Sequence, residues 1–166
     1  MHSRIYQIGS TPIEKEDYIN ESDFYENSFV GEVADYVNDS TDRADDLDWL
    51  KSYCGDDKGI TIDIENGTIV INDKRKYFSE IFDKFKELLN KLSEEATLEA
   101  FARLDKSYWG LSSTLYDLDC TANGDKFGFY VYDMDDNGYI TRFDEFLRYA
   151  EEGKTYYFGG TIDYHS

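Results

Sequence analysis

The chain has 166 residues, with 36 Asp and Glu against 17 Lys and Arg, a formal net charge of −19. That balance repels nucleic acid and anionic membrane, and it attracts basic surfaces. Hydrophobic residues make up 40% and aromatics 17%, enough apolar material for a packed core, so the acidity does not imply disorder.

The length suits one domain, residues 1–166. Pro12 is the only proline, and no Pro-rich or Ser-rich linker marks a boundary. Met1 to Gln7 contains no apolar h-region, and no run approaches the ~18 apolar residues of a membrane span. Cys54 and Cys120 have no metal-binding spacing and are expected to be buried thiols. A cytoplasmic protein is the expectation.

Arg4 to Ile8 is a first short strand, and residues 11–28 are polar and irregular. Phe29, Val30, Val33, Ala34 and Val37 have helical spacing. Ser40 or Thr41 caps a second helix, with Asp42, Asp45 and Asp46 in its first turns and Gly55 just past its end. Its buried face is expected to be Ala44, Leu47, Leu50 and Cys54. Residues Ile60 to Ile71 alternate apolar and polar around Asn66-Gly67, a strong hairpin signal. Tyr77, Phe78, Ile81, Phe82, Phe85, Leu88, Leu89 and Leu92 predict an amphipathic helix that buries Phe78, Phe82, Phe85 and Leu89. Ser93 caps a following helix with Leu98, Phe101 and Leu104 inward. Gly110 interrupts before a stretch running to Leu118.

Phe127 to Tyr132 is aromatic and β-branched, hence a strand, and Asp133 to Gly138 is a turn. Thr141 caps a short helix containing Phe143, Phe146, Leu147 and Ala150. Tyr156 to Phe158 forms a last strand, with Gly159-Gly160 at a strand end or bulge. The chain thus divides into an acidic part (1–73), a helical part (74–118) and a hairpin, helix and strand tail (119–166). The fold class is α+β, a mostly antiparallel sheet with helices packed on one face.

The charge is uneven. Residues 1–73 hold 18 acids and 5 bases, residues 74–110 hold 7 and 8, and residues 111–166 hold 11 and 4. The acidic surface therefore belongs to the two ends of the chain. Its densest part is Asp35, Asp39, Asp42, Asp45, Asp46, Asp48, Asp56 and Asp57. This cluster is either a solvated helix face or a strip spaced like a phosphate backbone that binds a basic groove.

Residues Asp133-Met134-Asp135-Asp136-Asn137-Gly138-Tyr139-Ile140-Thr141-Arg142-Phe143-Asp144 resemble the calcium loop of the EF-hand family. Calcium takes six to eight oxygens, and the resemblance implies side-chain ligands Asp133, Asp135, Asn137 and Asp144, with the Tyr139 carbonyl. Two departures stand out. Position 12 is Asp144 rather than Glu, and the preceding segment is strand rather than an entering helix. The alternative is a tight turn with Asp144 in a capping box.

Other chemistry is sparse. The only histidines are His2 and His165, at opposite ends, so a buried Ser-His-Asp or Cys-His arrangement is not expected. There is no HExxH, no phosphate loop and no dinucleotide fingerprint. Carboxylate pairs are too numerous to be specific.

The segments Ser3-Arg4-Ile5-Tyr6-Gln7-Ile8, Ile13-Glu14-Lys15-Glu16-Asp17-Tyr18-Ile19 and Gly159-Gly160-Thr161-Ile162-Asp163-Tyr164-His165 look similar to uncharacterised small acidic proteins of gut Firmicutes and their mobile elements. The resemblance implies a setting in which such proteins block host defence nucleases, as anti-CRISPR and antirestriction proteins do. The leading expectation is a non-enzymatic protein that occupies the basic surface of a nucleic-acid-binding partner, without binding nucleic acid or membrane itself. It requires no cofactor. The alternative is a calcium-binding module built on residues 133–144.

Overall fold

Eleven residues late in the chain organise the sheet. The structure, a computed structural model, describes residues 1–25, 29–103 and 110–166, apart from the Asp56 side chain. Strand β7 (Thr155–His165) pairs antiparallel with β1 (His2–Gly9), with β4 (Thr68–Ile71) and with β2 (Tyr36–Asn38). The order is β3-β4-β7-β1-β5-β6, where β3 is Ile60–Asp63, β5 is Tyr130–Asp133 and β6 is Tyr139–Arg142. Among the strand pairs of the described residues only β1–β5 is parallel, so the sheet is mostly antiparallel and the fold is α+β.

Both faces of the central strands are buried. On β1, Tyr6 and Ile8 face one cluster with Leu47, Leu50, Ile69, Phe143, Leu147 and Phe158. Ile5 faces the other, with Ile19, Phe24, Phe29, Val37, Ile162 and Tyr164. The alternation follows from the two-residue period of a strand. Helices α2 (Arg43–Cys54), α3 (Lys74–Glu95) and α6 (Phe143–Tyr149) contribute to the first cluster. The second is covered by the amino-terminal segment, through 3-10 turns at Lys15–Asp17 and Glu21–Phe24 and a single turn α1 (Phe29–Glu32).

Gly159 and Gly160 lie inside β7 at a bulge. Tyr6 pairs with Thr161 and Ile8 with Phe158, so β7 carries one extra residue there. The buried Gln7 amide uses the space. Its Oε1 accepts from Gly160 N at 2.8 Å and Ile19 N at 3.1 Å, and its Nε2 donates to Asp17 O at 2.8 Å. A Cβ on Gly159 would stand 2.1 Å from Gln7 Oε1, closer than atoms approach.

The Asn66-Gly67 hairpin forms as its pattern dictates, with Ile62 opposite Ile69. Several expectations are corrected. The helix expected over Phe29 to Val37 is only one turn, broken at Gly31 (φ 104°), and Tyr36 to Asn38 join the sheet. Asp42, not Ser40 or Thr41, caps α2, its carboxylate accepting from Ala44 N and Asp45 N. Ala44 is exposed, and Asp46 takes its expected place on the buried face.

Helix α3 forms as expected but buries a different face. Tyr77 is its one fully buried residue; Phe82 is 57% exposed, Leu89 is also exposed, and Phe78 and Phe85 are half-buried. Ser93 lies within α3, and Thr97 caps α4 (Leu98–Ala102), whose Leu98 and Phe101 face solvent. Leu104 lies outside the described residues. Gly110 precedes α5 (Leu111–Asn123), a full helix extending past Leu118. The strand expected from Phe127 starts at Tyr130. Thr141 is a β6 residue, and Arg142 occupies the cap position of α6.

Candidate acidic interface

Helix α2 presents the densest carboxylates. Asp42, Asp45 and Asp48 are exposed and recur every third residue. Each step advances about 4.5 Å along a helix axis and turns the side chain back by about 60°. Asp35 and Asp39 precede the helix and Asp57 follows it, all exposed. Asp35 stands 3.4 Å from His165 Nδ1. Asp42, Asp45, Asp48 and Asp57 pair with no basic side chain among the described residues. The Asp56 side chain lies outside them. Trp49 and Tyr53, on the same helix, are also exposed.

Asp46 is the exception in the expected set, because it is only 3% exposed. It accepts from Arg4 Nε at 2.5 Å and from Thr161 Oγ1 at 2.6 Å, while Tyr6 OH donates to its backbone carbonyl at 2.9 Å. The Arg4 guanidinium also pairs with Asp163, and Asp163 meets His2 Nδ1 at 2.8 Å. Burial, with Asp46 beside it, pushes the Tyr6 phenol far above its ordinary range. Asp46 therefore joins α2 to the sheet and is unavailable to a partner. Its spacing carried the signal, since residues 46, 50 and 54 share one helical face.

The same corner brings His2 and His165 together. They are directly opposed in the β1–β7 ladder, with ring centres 5.1 Å apart. Tyr36 stacks on His165. Sequence separation hid this cluster, and only the strand pairing reveals it.

Residues 133–144 form a hairpin turn between β5 and β6 and not a helix–loop–helix. The expected ligand set is not brought together. Asp133, Asp135 and Tyr139 line one depression with Asp136, Thr141 and Glu145. Asp144 lines a different one, and its Oδ1 accepts from Tyr77 OH at 2.7 Å. Asp135 accepts from Ser10 N and Ser10 Oγ, tying the turn to the end of β1. Asn137, at φ 52°, occupies the left-handed region that a tight turn requires. Burial above all, with Asp135 and Asp136 adding to it, raises the Asp133 pKa above the usual carboxylate value. Thr141 Oγ1 donates to Glu145 at 2.7 Å, so Glu145, rather than Asp144, serves this side of the turn.

A polar cleft lies between α2, α3, α5 and α6, lined by Tyr53, Lys84, Asp117, Cys120, Asp125 and Asp144. Burial, then the Asp144 charge, pushes the Tyr53 phenol and the neighbouring Cys54 thiol each up to about 12. The same two causes hold Tyr77 far above its ordinary value. These phenols and the Cys54 thiol remain protonated at neutral pH, so they supply hydrogen-bond donors and no thiolate or phenolate nucleophile.

Among the described residues, no three His, Cys, Asp or Glu groups converge on a metal position. Among them, no helix is long and apolar enough to cross a membrane. No family model matches the chain, no curated protein matches it, and no solved structure matches it.

Proposed function

We propose that this chain is an acidic, non-enzymatic binding protein that occupies the basic nucleic-acid-binding surface of a partner. In this reading it is a DNA mimic of the type that inhibits host defence nucleases, including anti-CRISPR and antirestriction inhibitors. The observation that carries it is the α2 edge. Asp42, Asp45 and Asp48 are exposed in one stretch and, among the described residues, pair with no basic side chain. In a chain of net −19, such an edge steers basic grooves toward itself. Exposed Trp49 beside it supplies the aromatic anchor that tight interfaces favour.

The test is a pull-down from the source cell at low and high salt, followed by association kinetics with the captured protein. Association should slow steeply with salt, because the attraction is screened within about 10 Å at 0.1 M. Reversing Asp45, Asp48 and Asp57 to Lys should slow it further without unfolding the chain. Tight nucleic-acid binding by the isolated protein, or a partner indifferent to both salt and the reversals, would sink the reading.

A further inference from the structure

The stripe of α3 that the fold leaves uncovered is ordered, not scattered. Phe78, Phe82, Phe85, Leu89 and Leu92 alternate spacings of four and three, the a/d pattern by which one helix seats on another. Helix α5 packs against α3, yet Phe82 and Leu89 remain exposed. Between the two helices lies a groove lined by Phe78, Ile81, Phe85, Thr121 and Ala122, with the exposed ring of Phe82 at its side. The face therefore carries a projecting ring beside an apolar hollow. A patch that holds both is self-complementary, as a two-fold interface requires.

Charge decides what can occupy it. The acidic surface belongs to the two ends of the chain, whereas residues 74–110 hold 7 acids and 8 bases. Three carboxylates of α3 are answered locally: Asp83 pairs with Lys86 at 2.8 Å, Glu95 with Lys91 at 3.8 Å and Glu80 with Lys58 at 4.0 Å. A strongly basic or acidic partner gains little at such a face. Two copies of a chain of net −19 repel each other through most of their surface. Here they can meet without opposing like charges.

We propose that this face of α3 is a self-association surface, occupied by the same face of a second copy related by a two-fold axis. Next along the chain, α4 adds exposed Leu98 and Phe101. Phe82 and Phe101, 57% and 70% exposed, leave roughly 250 Å² of ring in water. With Leu89 and Leu98, and doubled across the axis, the apolar burial is on the order of 1,000 Å², the scale of a weak, reversible interface. Asp42, Asp45 and Asp48 take no part, so the association is independent of what the acidic edge binds.

Sedimentation equilibrium of the full chain tests this. The molar mass should rise with concentration from one copy toward two and stop there. Raising salt should tighten the dimer several-fold, because screening removes the repulsion between two like-charged copies. Capture by a basic groove has the opposite salt dependence, so the two readings fail separately. Phe82→Glu and Leu89→Glu should each leave a monomer with an unaltered far-ultraviolet spectrum, since both side chains are exposed. Tyr25→Ser, at an exposed aromatic beside Phe24 of the second cluster, should dimerise as wild type does. If Phe82→Glu fails to fold, Leu89→Glu decides the matter, because it lies outside the groove lining. A single-copy mass at all concentrations up to about 1 mM, a mass that grows past two copies, a dimer that survives Leu89→Glu, or one that salt dissociates would each overturn the proposal.

Discussion

Arg4 Nε donates to Asp46 Oδ1 at 2.5 Å, across the junction between the first strand and α2, with both side chains largely withdrawn from water. Asp163 still faces the Arg4 guanidinium when Asp46 is deleted, but Arg4 Nε and Thr161 Oγ1 lose their acceptor. Asp46→Ala should therefore cost about 1–3 kcal/mol, whereas Asp45→Ala, one residue earlier and exposed, should fall within about 0.5 kcal/mol. Urea unfolding of the two variants checks the contrast; equal midpoints would refute it.

The hydrophobic stripe of α3 gives a second contrast. Phe82→Ala should cost about 1 kcal/mol or less, because the ring is mostly in water. Ile69→Ala, in the fully buried part of β4, should cost about 2–5 kcal/mol. Thermal denaturation that ranks Phe82 above Ile69 would mean that α3 packs by its other face.

Cys54 should be chemically quiet. Burial raises its thiol to about 12, so at pH 8 little thiolate is present to react. Alkylation of the native protein with mass mapping should leave Cys54 unmodified, and denaturant should expose it. Rapid native labelling of Cys54 would contradict its burial at the end of α2.

Asp63 makes a prediction about acid. Asn66 donates to it through backbone N at 3.0 Å and Nδ2 at 2.7 Å, and these bonds lower its pKa below the ordinary 3.8. A depressed native pKa contributes stability above the unfolded value, and that contribution is lost as pH falls through the folded value. Wild type should therefore exceed Asp63→Asn in stability near neutrality, with the gap closing below about pH 4. A gap that persists unchanged at pH 2 would show that the carboxylate bonds are not what Asp63 contributes.

Local chemistry was legible in the sequence, and long-range placement was not. Asn66-Gly67 specifies its hairpin because a two-residue signal and its flanking alternation act within a dozen residues. The α3 period was equally clear, yet period fixes only that a stripe exists; which part is covered depends on neighbours that arrive from elsewhere. Phe29 to Val37 had helical spacing, but Gly31 at φ 104° ends the helix and β7 captures Tyr36 to Asn38. Asp42, Asp45 and Asp48 are exposed at α2, whereas Asp46 shares a buried face with Leu50 and Cys54. The histidine pair left no trace in the sequence, since its members meet only once β1 and β7 have found their register.

The bulged strand β7 also has a consequence for synthesis on the ribosome. It supplies hydrogen-bond partners to β1, β2 and β4, so three earlier segments keep an open edge until residues 155–165 have left the exit tunnel. During that interval Ile5, Tyr6 and Ile8 have no finished sheet in which to hide. Such an intermediate is prone to self-association. The surplus of carboxylates then acts as a solubiliser of the nascent chain, keeping neighbouring polysome products apart until the last strand arrives.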